Sequence, residues 1–313
     1  MDRFEQHDTQ TDFFNRLRRP TATIASGGAF SLACILPSVL IVIFSVVFIA
    51  CGLTQEGYET TDWWKYFSFI ITPCAFAVVV YVYLKVRKIR PTVAVKTQNC
   101  SWKYYLIALC MQTGLFALSE VNGYFLAWLS KFGYTPQEIV LPSTDGFKIV
   151  GVLFAVAVLP AVFEELVFRG ALLAGIRKNF SVTVSVLLCG GLFALYHQRP
   201  EQTMYQFCCG TAYALLAIRS GSVFPTILSH FVNNALIVIL YANGITAIPS
   251  PVFLGIVIAG GAVLIGVLIY LIFIDKNKPA QFVPTQKLDF LLSALPGLCI
   301  ILLGWFTALF TGF

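Results

Sequence analysis

The feature that most constrains the fold of this chain is a succession of nine long apolar stretches divided by polar connections. Most are close to the roughly 20 residues that a helix needs to cross the hydrocarbon core of a bilayer. The fifth and sixth are shorter, which indicates tight hairpins or tilt. The pattern predicts an all-α fold, a polytopic integral membrane helical bundle of about nine transmembrane helices, with eight as the alternative. The stretches are residues 25–53, 64–84, 104–129, 149–176, 182–197, 203–218, 223–241, 252–274 and 288–310.

The composition excludes an ordinary soluble domain. Hydrophobic residues make up 58% of the 313 residues and charged residues only 12%, whereas about 25% charged residues is usual in soluble proteins. A charged group near the bilayer centre costs about 2.5 to 3.5 kcal/mol on insertion scales. Each charge inside an apolar stretch therefore needs an explanation.

The basic residues predict the orientation of the bundle. With a cytoplasmic N-terminus, sixteen of the 21 Lys and Arg residues fall in cytoplasmic segments and four in external ones. Cytoplasmic loops are enriched in Lys and Arg, so we expect a cytoplasmic N-terminus and an external C-terminus in a multi-pass protein of a bacterial plasma membrane. The net charge of +6 then reflects topology and anionic lipid headgroups, and nucleic acid is not an expected partner.

Polar connections divide the stretches into blocks. The division predicts a polar cytoplasmic leader at residues 1–24, three transmembrane helices at 25–145, a central block of four helices at 146–243, and two C-terminal helices at 244–313. The first stretch is too long for the apolar segment of a secretory signal. We therefore expect the first helix to stay in the mature protein.

The nine cysteines are predicted to be packing residues. They are odd in number, lie mostly within the apolar stretches and form no CxxC pair, which argues against a disulfide or metal framework.

Apart from Lys65 and Asp289, each the second residue of its stretch, six charged or histidine residues lie within the stretches, and five of them fall between residues 164 and 230. Left unpaired, the two glutamates and the arginine among these five would cost on the order of 8 to 10 kcal/mol, so pairing or a water-filled cavity is required. Two alternatives are structural: an intramembrane His or Asn often joins helices, and a Glu/Arg pair can act as a staple. The six residues are Glu120, Glu164, Glu165, Arg169, His197 and His230.

Helical spacing predicts how the acidic and basic residues of the fourth stretch are arranged. Glu165 and Arg169 are four residues apart with the acid first, the favourable order for an ion pair on one helix face. Glu164 lies about 100° around the helix and lacks a full counter-charge, which makes it a candidate general base. Pro160, one turn earlier, is a candidate kink. Glu120 has no partner at helical spacing and is expected to be buried, protonated or paired.

The same spacing recurs around both histidines. Phe193 and His197 are four residues apart, so the aromatic ring can pack on the imidazole. His230 and Asn234 are also four apart and place two hydrogen-bond donors on one helix face. Asn233, three residues from His230, is a competitor for Asn234.

Three motifs occur in this order within the central block. Residues 164–169 read as EExxxR, residues 193–197 as FxxxH and residues 230–234 as HxxxN. Together they resemble the CPBP family, the CAAX proteases and bacteriocin-processing intramembrane proteases. The resemblance covers residues 146–243, which it identifies as a CPBP-like catalytic core, and the outer five helices carry no such motif.

The resemblance implies an integral membrane endopeptidase that cleaves a membrane-associated protein or peptide. Glu164 and His197 would activate a water molecule, and His230 and Asn234 would form an oxyanion hole. By the same resemblance Glu165 and Arg169 would support the site, with Phe193 as the aromatic residue of FxxxH.

Metal dependence is the open point of the mechanism. The family has often been labelled metalloprotease, and Glu164, His197 and His230 include the ligand types of a His₂Glu zinc site. The chain has no HExxH motif, and a ligating Glu164 would leave Glu165, already engaged by Arg169, as the base. We therefore expect no metal cofactor, with zinc as the alternative.

Other functions and partners stay open. A non-proteolytic scaffold, or a bacteriocin-immunity or regulatory partner of another membrane protein, is the alternative to a protease. Membrane lipid is an expected partner in either case. The estimated depth of the site predicts a mouth that leans toward the exterior, and nothing in the sequence indicates a prenylated substrate.

Overall fold

The computed structural model of the chain describes residues 21–54, 56–136, 139–245, 250–277 and 286–311, without the side chains of Glu120, Val121 and Ser250. Every regular element within these ranges is helical. The predicted leader lies almost wholly outside the described residues. The side chain of Glu120, which was expected to be buried, protonated or paired, also lies outside the described part of the chain.

Each of the nine predicted stretches coincides with helical structure. Seven helical segments of the described chain are long and apolar enough to cross a membrane. The fifth stretch forms a shorter apolar helix of 15 residues. The helices are α1 (Ala22–Ala50), α2 (Asp62–Arg87), the short α3 (Pro91–Ala94), α4 (Lys103–Ala117), α5 (Ser119–Ser130), α6 (Lys148–Asn179), α7 (Val182–Tyr196), α8 (Thr203–Ser220), α9 (Phe224–Ala242), α10 (Pro251–Ile274) and α11 (Lys287–Thr311).

The polytopic membrane bundle is thus confirmed. Among the described residues seven helical segments qualify as candidate spans, against the nine predicted. The segment Lys103–Ser130 combines α4 and α5 and is one of the seven. The sixth stretch forms α8, which has 18 residues and carries polar side chains along its length, so it is not among them. The shortness of the fifth and sixth stretches was the sequence signal for this difference.

Helix ends follow local chemistry. α2 begins at Asp62 and has Lys85 and Arg87 in its last turn, which places each charge at the end of the helix dipole that it stabilises. α8 ends at Gly221, whose φ of +69° is left-handed, and glycine adopts that conformation without a Cβ clash. These ends separate the spans that pack together.

α6 lies at the centre of the bundle. It packs against α1, α2 and α9, while α7 packs against α8. α7 and α8 approach each other closely at Gly190. A Cβ added at this glycine would lie only 2.8 Å from the backbone nitrogen of Thr211 in α8. Small residues permit such close helix contacts in membranes.

Two π-helical stretches interrupt α6. They are Leu153–Val158 and Leu166–Leu172, and they flank the α-helical segment Leu159–Glu165. Pro160, the predicted kink, lies in that segment. Proline has no N–H to donate and therefore interrupts the regular hydrogen bonds of the helix. Wide turns of this kind often occur at functional sites, and here they flank the two glutamates.

Polar contacts join the helices at the two ends of the bundle. At one end Lys103 Nζ lies 2.9 Å from Asp275 Oδ1. At the other, Arg199 Nε lies 2.6 Å from Glu201 Oε1, and Tyr134 donates a hydrogen bond to Glu201. Burial and this hydrogen bond raise the pKa of Tyr134 to about 12. The orientation of the bundle in the membrane and the block boundaries stay predictions.

Candidate active site

The predicted ion pair of α6 is present and fully buried. Arg169 Nη1 lies 2.8 Å from Glu165 Oε1, and neither side chain is exposed. The guanidinium also donates to the carbonyl of Gly210 at 3.2 Å and lies 4.2 Å from the ring centroid of Phe193. A buried ion pair needs such additional partners to offset the loss of hydration.

His230 of α9 completes this pair on its other side. Its Nδ1 lies 3.0 Å from Glu165 Oε1. A carboxylate that is ionised beside an arginine can only accept hydrogen bonds, so Nδ1 carries the proton. The opposite nitrogen, Nε2, then faces Glu164, with 3.9 Å to Oε2.

Glu164 and Glu165 each have one oxygen, Oε2, without a hydrogen-bond partner among the described residues. Glu165 is 0% exposed and is held through Oε1 by Arg169 and His230, whereas Glu164 is 8% exposed and has no such ion pair with an arginine. Buried polar atoms are nearly always bonded, so an unsatisfied one requires an explanation such as a catalytic role. The spacing argument had predicted this division between a paired and a free carboxylate.

His197, the predicted last residue of the fifth stretch, directly follows Tyr196, the last residue of α7. Its Nδ1 is 2.8 Å from the carbonyl oxygen of Phe193. Because a carbonyl only accepts, Nδ1 carries the proton and Nε2 presents a lone pair. The ring packs edge to face on Phe193 at 4.7 Å between centroids, as the spacing predicted.

Phe193 lies between the two histidines. Its ring centroid is 4.7 Å from that of His197 and 5.9 Å from that of His230. The structure thus brings Glu164, Glu165 and His230 into one polar cluster and joins His197 to it through this ring. No direct hydrogen bond between His197 and Glu164 occurs in the described part of the chain.

The two candidate asparagines of α9 have different surroundings. Asn234 is partly exposed and donates from Nδ2 to the carbonyl of Val156 at 3.2 Å. Since a side-chain amide nitrogen has two hydrogens, one N–H of Asn234 is left over. Asn233 is 4% exposed, and its Oδ1 accepts from Tyr205 and Gln112 at 2.7 and 3.0 Å. The geometry favours Asn234 over Asn233 as a donor to a substrate.

Gln112 of α4 is a polar residue of this region that the sequence reasoning missed. It is fully buried and accepts at Oε1 from the Tyr213 hydroxyl at 2.7 Å. The reasoning had considered only ionisable residues within the spans. A glutamine in the middle of an apolar stretch was the available signal, because a buried amide also requires partners.

The donor set has the ligand types of a zinc site. Both histidines donate Nδ1–H to protein acceptors, as metal-bound histidines do. Among the described residues, however, no group of three or more His, Cys, Asp and Glu is placed to hold a metal ion. All nine cysteines are free thiols. Cys34, Cys189 and Cys209 are buried and four others are exposed, so only part of the set packs inside the bundle as predicted.

Comparison with protein families agrees with this geometry. Residues 146–236 match the family model described as "Type II CAAX prenyl endopeptidase Rce1-like". This part of the chain is therefore similar to the Rce1-like domain of the CPBP family. The match runs from the residues before α6 into α9 and includes every predicted site residue. The match supports a CAAX-type intramembrane protease in general terms, in a multi-pass integral membrane protein. No curated protein and no solved structure matches the chain.

Proposed function

From the Rce1-like match at residues 146–236, we propose that this protein is an endopeptidase that hydrolyses a peptide bond of a membrane-associated protein or peptide with an activated water molecule. The observation that carries the proposal is the difference between two adjacent carboxylates. Glu164 is 8% exposed with an unpartnered Oε2, whereas Glu165 is 0% exposed and is held through Oε1 by Arg169 and His230. One carboxylate is used structurally, and the adjacent one is available for proton transfer.

Glu164 acts as the general base. Its free oxygen accepts a proton from the water as the water oxygen attacks the scissile carbonyl carbon. His197 orients the same water through Nε2, because Nδ1 is committed to the carbonyl of Phe193. The proton then passes from Glu164 to the leaving amine nitrogen, which restores the carboxylate and completes the peptide cleavage.

Asn234 and His230 stabilise the negative oxygen that forms on the attacked carbonyl. Asn234 donates its remaining N–H. His230 can donate from Nε2 only in its protonated form, because Nδ1 is bonded to Glu165. The charges of Glu164, Glu165, Arg169 and protonated His230 cancel, so this form leaves the buried cluster neutral.

The experiment compares the purified wild-type protein with the variant Glu164→Gln. Each is incubated with two sets of synthetic peptides, one unmodified and apolar, the other farnesylated at a cysteine near the C-terminus, and new peptide termini are identified by mass spectrometry. Glu59→Gln, at an exposed glutamate outside the bundle, is the matched control. We expect cleavage by the wild type and the control and none by Glu164→Gln. Equal cleavage by Glu164→Gln would contradict the proposed base.

The same assay tests the metal-free mechanism and the scaffold alternative. We expect cleavage to persist after exhaustive treatment with a chelator, whereas activity that returns only with zinc would establish a metalloprotease. A wild-type protein that cleaves neither peptide set would favour a non-proteolytic scaffold. The preference between the two sets identifies the substrate class.

A further inference from the structure

A line of three side-chain amides connects α4 to the candidate oxyanion donor. Gln112 Nε2 donates to Asn233 Oδ1 at 3.0 Å, and Asn233 Nδ2 donates to Asn234 Oδ1 at 3.0 Å. Asn234 Nδ2 in turn donates to the carbonyl of Val156 at 3.2 Å. Gln112 and Asn233 are 0% and 4% exposed, so this line runs through the interior of the bundle.

At the far end of the line, the carbonyl of Val156 determines which way the amide of Asn234 faces. A carbonyl oxygen only accepts hydrogen bonds, so Asn234 has to turn its nitrogen toward Val156. That carbonyl is available because the residue four positions later is Pro160, which has no N–H to donate. With the nitrogen of Asn234 facing Val156, its Oδ1 faces Asn233 and accepts from it.

At the near end of the line, hydroxyl groups orient the amides of Gln112 and Asn233 so that each donates toward Asn234's side of the line. The hydroxyls of Tyr213 and Ser229 donate to Gln112 Oε1 at 2.7 and 3.0 Å, which turns Nε2 of Gln112 toward Asn233. The Tyr205 hydroxyl adds a second donor to Asn233 Oδ1 at 2.7 Å. Asn233 is thereby held with its nitrogen toward Asn234, since its oxygen already serves two donors.

An asparagine amide has nearly the same shape in its two flipped orientations, so only hydrogen bonds select between them. Flipped, Asn234 would turn its oxygen toward the place where its leftover N–H now points. An oxygen there would repel a developing oxyanion, whereas an N–H stabilises it. The orientation of this amide is therefore a condition for its proposed role.

We propose that Gln112 is a positioning residue that holds the amide of Asn234 in the donor orientation through Asn233. This inference rests on the proposed function of Asn234. Gln112 lies in α4, outside the Rce1-like match at residues 146–236, so one of the outer helices takes part in the site. The substitution Gln112→Leu would keep a similar side-chain volume and remove the buried amide, which requires hydrogen-bond partners.

The first test is the effect of Gln112→Leu on peptide cleavage, with the peptide that the wild type cleaves. Loss of an oxyanion donor costs roughly 10²- to 10³-fold in kcat, and a misaimed donor is expected to cost less, on the order of tenfold, with KM unchanged. Gln98→Leu is the matched control, because Gln98 donates to the carbonyl of Gly221 away from the site. A fall in kcat for both variants, or for neither, would overturn the proposal.

The second test separates positioning from general stability. Gln112→Leu is made in the wild type and in Asn234→Ala. A residue that acts through Asn234 should have little further effect on kcat, no more than about twofold, once Asn234 is gone. An equal loss in both backgrounds would mean that Gln112 acts only on the fold.

A third measurement does not depend on turnover. The four proteins of this cycle are melted, and we expect shifts in melting temperature that do not add, because the two residues belong to one hydrogen-bonded line. Additive shifts would overturn the line even if the wild type cleaves no peptide. Cleavage that depends on Glu164 but not on Gln112 would leave the proposed function in place and remove this inference alone.

Discussion

Two buried carboxylates of this protein, Asp275 after α10 and Glu164 in α6, differ in how their oxygens are used. Asp275 is 1% exposed. Its Oδ1 lies 2.9 Å from Lys103 Nζ, and its Oδ2 accepts from the Tyr104 hydroxyl at 2.8 Å. Glu164 is almost as buried, yet its Oε2 accepts no hydrogen bond within the described structure.

Burial of a charge therefore does not by itself indicate a reactive group. Asp275 joins α10 to the start of α4, and both of its oxygens serve that contact. Glu165 is held by Arg169 and His230 through Oε1 alone, and its Oε2 has no hydrogen-bond partner among the described residues, but its side chain is 0% exposed. Glu164 is the acid of this group that combines an unpartnered oxygen with some exposure, and general base catalysis requires an oxygen that a water molecule can reach.

The largest expected effect is on turnover, from Glu164→Gln. If the unused oxygen is the base, this variant should lower kcat by roughly 10²- to 10⁴-fold and change the melting temperature little, since Oε2 of Glu164 accepts no hydrogen bond that the substitution would break. Peptide cleavage and thermal melting of the same preparation check both parts. A clear loss of stability would place Glu164 with Asp275 as a structural acid.

The next effect is on folding, from Glu165→Gln. This variant leaves the buried guanidinium of Arg169 without its counter-charge, and removing one partner of a buried ion pair costs about 3 to 5 kcal/mol. Denaturant unfolding in detergent micelles measures the loss. The double variant Glu165→Gln, Arg169→Met should recover part of it, because both buried charges are then absent. A fully stable single variant would contradict the supporting role of Glu165.

A smaller effect is expected from Asp275→Asn, about 1 to 3 kcal/mol of the free energy of unfolding, because hydrogen bonds to a charged group are weakened. The exposed Asp145→Asn is the matched control. Cleavage per folded molecule should stay at the wild-type value, since Asp275 makes its contacts at the end of the bundle. A selective loss of turnover would remove the distinction between the two carboxylates.

We also expect Asp275 to make the stability of the fold depend on pH. Burial acts to raise the pKa of Asp275, but the hydrogen bonds from Lys103 and Tyr104 outweigh it, and the pKa lies below its ordinary value. A lowered folded-state pKa means that the stabilisation is complete above the unfolded-state pKa and is lost as pH falls through the folded-state value. Melting from neutral to acidic pH should therefore show a smaller decline in Asp275→Asn than in the wild type.

Contacts within one helix could be predicted from the sequence. The ion pair of Glu165 with Arg169 and the ring contact of Phe193 with His197 both follow from a spacing of four residues, which helix geometry places on one face. The end of α7 at Tyr196 also lies within one residue of the predicted end of the fifth stretch, which is as closely as helix ends can be assigned.

Contacts between helices could not be predicted in this way. Gln112 and Asn233 are 121 residues apart in the chain, and no spacing rule relates α4 to α9. The assignment of Asn234 over Asn233 rested on the family motif, whereas the structure adds a physical reason. Asn233 is 4% exposed and its amide nitrogen donates to Asn234, whereas Asn234 is partly exposed.

By itself the sequence determined that this protein is a bundle of membrane helices with its ionisable groups concentrated in one block. The physical reason is that a bilayer requires each backbone polar group to be satisfied within its own helix and makes each intramembrane charge costly. Only the tertiary structure decided which oxygen of Glu164 stays unpartnered and how the amide of Asn234 is turned. Those outcomes depend on which helices lie side by side, and therefore on packing across the whole chain.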